Sequence, residues 1–162
     1  MLVAVAHANQ WEIRSYDIVL AFTLARPQNP TYVRFPNLEG VIPGVQQGQL
    51  AEVVWNLYGD VSAPHSWFHT LKPVLMQMGF VEVGGHPCVM IHRAEQMGVV
   101  KVIMLTIYVD NIIVAANMND LFQWFEGEIG KHFEYTTPGK ILFCLGVEFL
   151  KSDDGRYLTL SQ

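Results

Sequence analysis

Two aspartates and an asparagine carry the chemistry this sequence has to offer. Asp110 and Asn111 interrupt the apolar stretch VIMLTIYVDNIIVAAN, Val102 to Asn117. Each flanking run has the length and β-branched content of a buried strand, so the polar pair marks the tip of a hairpin. Asp17 stands near the end of an earlier strand-like run, within WEIRSYDIVLAF. If the two strands are central and adjacent, both carboxylates project from one end of one sheet. Carboxylates so placed can clamp two divalent ions that align and neutralise a phosphoryl transfer. Asp and Asn also serve as turn and cap residues. Spacing alone favours that plainer use at each position.

The elements that must position these residues follow from periodicity and breakers. Residues 2–9 read as a helix, and the run containing Asp17 as a strand. Three prolines surround a short extended piece, Tyr32 to Phe35, which is edge-strand chemistry. LEGVIPGVQQGQ reads as a loop, and LAEVVWNLYGD as a strand that turns at Gly59-Asp60. A helix follows. Ser62 can cap it, Pro64 suits its first turn, and Gly79 ends it. Trp67, Leu71, Val74, Leu75 and Met78 share one face, and Trp67 and Trp124 are expected in the core. Pro73 removes the hydrogen bond to the His69 carbonyl at a cost of roughly 3 kcal/mol, which predicts a kink or an early stop. Cys88 to His92 is a strand, followed by a turn near AEQMG and the central hairpin. NMNDLFQWFEGEIGKHF is an amphipathic helix, with Leu121, Phe125, Ile129 and Phe133 near one face. The last residues read as two strands around a turn at Asp154-Gly155, and Asp153 and Asp154 are turn residues. The order is that of an α+β fold: an antiparallel sheet with helices packed on one face.

Composition narrows the function classes. The chain has 162 residues, half of them apolar, enough for a real core and too apolar for disorder. Its formal net charge is −5 with only ten Lys and Arg. That counts against tight, autonomous nucleic-acid binding, which rests on phosphate contacts. Cys88 and Cys144 lie in apolar runs and read as reduced, buried thiols, which places the chain inside a cell, cytoplasmic or nuclear. The apolar start is short and has no basic residues ahead of it, a poor signal peptide. Val99 to Ala116 reaches membrane length, but Lys101, Asp110 and Asn111 break it, so no membrane partner is expected. His65 and His69 stand four apart on the first long helix, a zinc-capable spacing with no evident third ligand.

The residues themselves say more than their spacing. In order along the chain, WEIRSYDIVLAF, TYVRFP, LYGDVSAPHSWF, MGFVEVGGHPCVMIHR, IYVDNIIVAAN, FCLGVEF and GRYLTLSQ resemble the blocks WEIHQMDVKTAF, IYMEQP, LYGLKQAPRAWY, LGFKRSESDPCLYVKR, LYVDDLLITGSN, YFLGIEV and GIFLSQ. These are blocks of the reverse transcriptase of copia-type long-terminal-repeat retrotransposons. The resemblance runs from end to end and implies a polymerase palm, an RNA-directed DNA polymerase working by two-metal nucleotidyl transfer. By that resemblance Asp17 and Asp110 hold the catalytic Mg2+ (or Mn2+). Phe22 is the gate against a ribose 2′-hydroxyl, for which ordinary core packing is the plainer account. Tyr108 orients the hairpin and, with Phe22 and Ser62, lines the nucleotide site; a buried strand-end tyrosine explains Tyr108 nearly as well. The implied partners are an RNA/DNA primer-template, deoxynucleotides and other parts of a retroelement polyprotein.

The departures are as informative. Asn111 replaces the second aspartate of the family's YVDD, offering a metal an oxygen but no charge. Ser62 replaces the glutamine that meets the incoming nucleotide, and cations are lost at Val61 and Val19. The expected organisation is one palm domain over residues 1–162 with partial fingers, lacking the N-terminal fingers segment and the C-terminal thumb or connection. A truncated palm with a degenerate active site, weakly active or inactive alone, follows from this. The alternative is a reused palm acting as a non-catalytic binding module.

Overall fold

The computed structural model describes residues 1–36, 42–140, 143–144, 147–151 and 158–161. The chain folds as two compact units, Met1–Val19 with Pro73–Gln162, and Leu20–Lys72.

The first unit opens with helix α1 (Leu2–Ala8). Its buried face is Leu2 and Ala6, one turn apart. It ends in a full turn reversal: Gln10 takes a left-handed φ of 58°. The amides of Gln10 and Trp11 reach back to the carbonyls of His7 and Ala6 at 3.1 and 2.8 Å. This is the Schellman closure, with Gln10 in the place glycine usually takes. It delivers the chain into β1 (Glu12–Ile18). Four further strands lie in the same sheet: β4 (Val81–Val83), β5 (His86–Gln96), β6 (Val99–Tyr108) and β7 (Asn111–Ala116). Helix α3 (Asp120–Ile129) follows, then β8 (Tyr135–Lys140). The sheet order is β4-β5-β6-β7-β1-β8, with every pairing antiparallel. Strands β9 (Phe143–Cys144), β10 (Val147–Lys151) and β11 (Leu158–Ser161) form a separate antiparallel sheet.

The α+β class holds, and one expectation about its layers does not. Along β7, Ile112, Ile113, Val114, Ala115 and Ala116 are all buried. Successive side chains point to opposite sides of a sheet, so both sides there must be covered. Helix α3 covers one, where Tyr16 meets Phe125 at 5.2 Å and Arg14 lies over Phe122 at 4.2 Å. Helix α1 covers the other, with Leu2 and Ala6 against Met104, Ile113 and Ala115. The helices therefore do not share one face. The strand run is too apolar for a sheet open on one side.

The second unit contains a 3-10 turn (Ala21–Leu24) and the hairpin of β2 (Tyr32–Arg34) and β3 (Leu50–Glu52). Helix α2 (Ala63–Gln77) carries the chain onward from this unit. It runs through Pro73, where the sequence predicts a kink or a stop. Leu71, Leu75 and Met78 are buried on either side of the proline, and that burial outweighs one missing hydrogen bond. Trp67 is fully buried as expected, while Trp124 is half-buried. Cys88 is exposed, against expectation. It precedes the part of β5 whose side chains enter the core. The Cys144 side chain and the Asp153, Asp154 and Gly155 turn lie outside the described residues.

Candidate active site

Sequence places Asp17 and Asp110 nearly a hundred residues apart, and the sheet brings them together. β1 and β7 are antiparallel neighbours, in register so that Asp17 stands opposite Asn111. β6 and β7 form a hairpin with Tyr108 opposite Asn111, leaving Val109 and Asp110 as a two-residue loop. The Ile18 amide donates to the Asp110 carbonyl at 3.0 Å, and the Val19 amide donates to the Glu134 carbonyl at 2.9 Å. The end of β1 is thus pinned between the loop and the segment entering β8. Pairing of β1 with β8 slips between Ser15 and Asp17, a bulge beside the carboxylate.

The loop itself is strained. Val109 has φ of 57°. A positive φ at the first of two hairpin residues ordinarily calls for glycine, and for a β-branched residue it is an outlier worth about 1–2 kcal/mol. Such strain collects at functional positions. The same strand starts at a second two-residue loop, Met97-Gly98, where both residues have positive φ.

Electrostatically the pair behaves as two competing carboxylates. Partial burial pushes the Asp17 carboxyl above the ordinary carboxylate range, and the neighbouring Asp110 charge adds to the shift. Among the described residues, nothing donates a hydrogen bond to the Asp17 carboxylate. Asn111 Nδ2 donates to Asp110 Oδ1 at 3.3 Å, which leaves the Asn111 amide oxygen free to accept. Among the described residues, no group of three or more His, Cys, Asp or Glu side chains is placed to hold a metal. The cluster has two carboxylates and an amide. An aspartate at position 111 would supply the third.

A network that spacing does not reveal anchors β1 from the other face. Tyr16 donates to Glu126 Oε1 at 2.8 Å, and Arg14 reaches the same oxygen at 3.3 Å. Arg14 also bonds Glu12 at 2.9 Å and Asn119 at 2.6 Å. Burial, and then the bonded Glu126, hold the Tyr16 hydroxyl protonated far above its usual range. The alternation Glu12, Arg14, Tyr16 hints at a common face. Their partner on α3 gives no sequence signal.

The remaining expected site residues stand as follows. Tyr108 closes β6 with its side chain 55% exposed, so the buried strand-end account fails. Phe22 and Ser62 belong to the second unit. Phe22 is half-buried in the 3-10 turn, its ring 5.1 Å from that of Tyr58. Ordinary core packing does not describe it. Ser62 is occupied: its amide and hydroxyl both donate to Asp60 Oδ1, at 2.7 and 2.8 Å. These bonds hold the Asp60 carboxyl below its ordinary range. The Ser62 hydroxyl therefore does not cap α2, although the Ser62 carbonyl accepts from the Ser66 amide at 3.0 Å.

An antiparallel α+β unit with two carboxylates gathered at one sheet end is the class that fold and site define. The chain belongs to the reverse transcriptase (RNA-dependent DNA polymerase) family, whose profile spans residues 1–162. It is 23% identical over 160 residues to the retrovirus-related Pol polyprotein from transposon RE1 of Arabidopsis thaliana, covering 98% of this chain and 10% of that protein. The corresponding RE2 polyprotein of the same plant is 22% identical over 160 residues, with the same coverage. A transposon Ty5-1 protein of Saccharomyces cerevisiae is 28% identical over 149 residues, covering 90% of this chain and 45% of that one. The chain thus spans about a tenth of the plant polyproteins and under half of the yeast protein. No solved structure matches. Among the described residues, no helix is long and apolar enough to cross a membrane.

Proposed function

We propose that this chain is the palm of a copia-type retrotransposon polymerase, serving RNA-directed DNA synthesis, with its carboxylate cluster weakened by Asn111. The observation that carries the reading is the register Asp17 opposite Asn111, with Asp110 in the adjoining loop. Hard carboxylate oxygens suit Mg2+ or Mn2+. Burial and then the Asp110 charge raise the Asp17 carboxyl, and a divalent ion between the two would oppose the second effect. Asp17 and Asp110 would hold the metal, with the Asn111 amide oxygen as a neutral third donor. When bound, the metal supplies charge neutralisation and alignment for phosphoryl transfer.

The protein's own part is positional. The two backbone bonds at Ile18 and Val19 and the Tyr16–Glu126 anchor fix the end of β1. The strained Val109 fixes Asp110. By the family resemblance alone, Tyr108 and Phe22 are each assigned to the nucleotide, Phe22 to excluding bulk at the sugar. The primer-template, deoxynucleotides and the rest of a polyprotein are the partners of this reading. Replacing one carboxylate by an amide removes a full charge from a site whose work is electrostatic. Such changes cost several kcal/mol, and each 1.36 kcal/mol is about tenfold in rate.

The test is primer extension on an RNA template with Mg2+ or Mn2+, comparing the parent, Asn111→Asp and Asp110→Ala. Weak or absent extension by the parent, gained in Asn111→Asp and abolished in Asp110→Ala, is expected. The second reading, a palm reused for binding, is favoured by one stretch: Val54, Trp55, Leu57, Tyr58 and Val61 are all exposed. It gains if Asn111→Asp extends no primer while retaining the fold.

A further inference from the structure

His65 and His69 stand one turn apart on the exposed side of α2, outside the carboxylate cluster and without a part in the reaction proposed above. Their Nε2 atoms are 3.1 Å apart, and their ring centroids 4.4 Å. On the far side of the first ring, His65 Nδ1 lies 2.7 Å from Gln28 Nε2. Both histidines are solvent-exposed.

The geometry points to a two-nitrogen chelating site for a borderline divalent transition-metal ion of the Zn2+, Ni2+ or Cu2+ class. Two imidazole nitrogens, each about 2.0–2.1 Å from one ion, are separated by about 3.4 Å at a tetrahedral angle and about 2.9 Å at a right angle. The observed 3.1 Å falls between these limits. The two Nε2 atoms already stand at a separation that one ion can span. With two protein donors, the remaining positions are filled by water.

The hydrogen bonding rearranges without a net proton change. In the metal-free chain, one Nε2 must carry the proton of the bond between the rings. A Gln28 Nε2 donor requires His65 Nδ1 to be the acceptor, so His65 carries its proton on Nε2 and donates to His69. Metal at both Nε2 atoms moves the His65 proton to Nδ1. Rotation of the Gln28 amide then presents Oε1 to accept it. A metal-bound histidine ordinarily has such an outer partner on its other nitrogen. Gln28 is therefore a positioning residue for the site.

The experiment is a calorimetric titration of the tag-free chain with Ni2+ alone and, separately, Zn2+ alone, with thermal melting alongside. Expected are one equivalent bound and a raised Tm. Affinity falls about tenfold or more in His65→Ala and in His69→Ala, because loss of either nitrogen leaves a one-point contact. It falls by less in Gln28→Ala, and it is unchanged in Met97→Ser, at an exposed loop position with no part in either site. Both histidines are exposed, so the variants keep the metal-free melting curve, which is checked directly. Equal affinity and stoichiometry in the parent and the two histidine variants would overturn the assignment. So would loss of binding in Asp110→Ala with retention in His69→Ala.

Discussion

Strand β6 is bounded by two loops of equal length and opposite character. At its start, Met97 and Gly98 both take positive φ, and Met97 is 97% exposed. That pattern is the I′ turn, whose backbone twist matches the strands it joins. Its Gly98 suits its φ, and nothing depends on its side chains. At its other end, Val109 holds a φ of 57° that valine tolerates poorly, and Asp110 follows it. Asp110 there adds its charge beside Asp17, and the Asp110 carbonyl accepts from Ile18. The contrast teaches where this sheet was built for convenience and where it was built for placement. Met97 at the matching position has a similar φ of 53°, so what sets position 109 apart is its β-branched side chain and the carboxylate that follows it.

That contrast yields predictions in order of size. In the Asn111→Asp background, Asp110→Ala cuts primer extension about a hundredfold or more. Met97→Ser, at the opposite loop, leaves extension unchanged. If the two loops respond alike, the contrast is decorative. Next, Tyr16→Phe removes a hydrogen bond to a carboxylate and leaves Glu126 partly buried. It is expected to cost about 1.5–3 kcal/mol in urea unfolding. Gly98→Val places a β-branched residue at φ of 77° and is expected to cost about 1–2 kcal/mol. Val109→Gly has the opposite sign. Relief of about 1–2 kcal/mol of strain, against about 0.5–1 kcal/mol of glycine entropy, leaves a small net gain. A clear loss of stability in Val109→Gly would show that the loop is not strained.

The smallest effect is in pH. The Asp17 carboxyl is raised in the folded chain, so the folded state holds its proton more tightly than the unfolded state. Stability of the metal-free chain therefore falls as pH rises from the ordinary carboxylate value through the raised one. Asp17→Asn removes that slope. It should raise Tm at pH 7 and leave it unchanged at pH 3, where both forms are neutral.

Much of this arrangement is legible in the sequence. The hairpin tip, the strand ending near Asp17 and the α3 face all follow from periodicity, because burial enforces periodicity. The pairing of Asp17 with Asp110 needs the further assumption that their strands are neighbours, which the register bears out. The features that escape have local sequence working against them. β8 reads YTTPGK, and its proline and glycine argue against a strand. Its place at the sheet edge, where one side needs no donors, permits both. The proline in α2 is tolerated because buried leucines flank it. The role of α1 as a second cover is hidden because periodicity reports which residues are apolar, not what meets them. The Val109 strain is a backbone property with no residue signature. The Tyr16–Glu126 anchor spans 110 positions, a separation at which spacing carries no information.

Asp17 and Asp110 are proposed as one metal-holding pair that Asn111 limits. Titration of the 15N-labelled chain with Mn2+ tests this without requiring turnover. Paramagnetic broadening should begin at the amides of Asp17, Ile18 and residues 109–112. It should require less Mn2+ in Asn111→Asp and be lost there in Asp110→Ala. Broadening that begins elsewhere, or that persists at Asp17 in Asp110→Ala with undiminished affinity, would contradict the account.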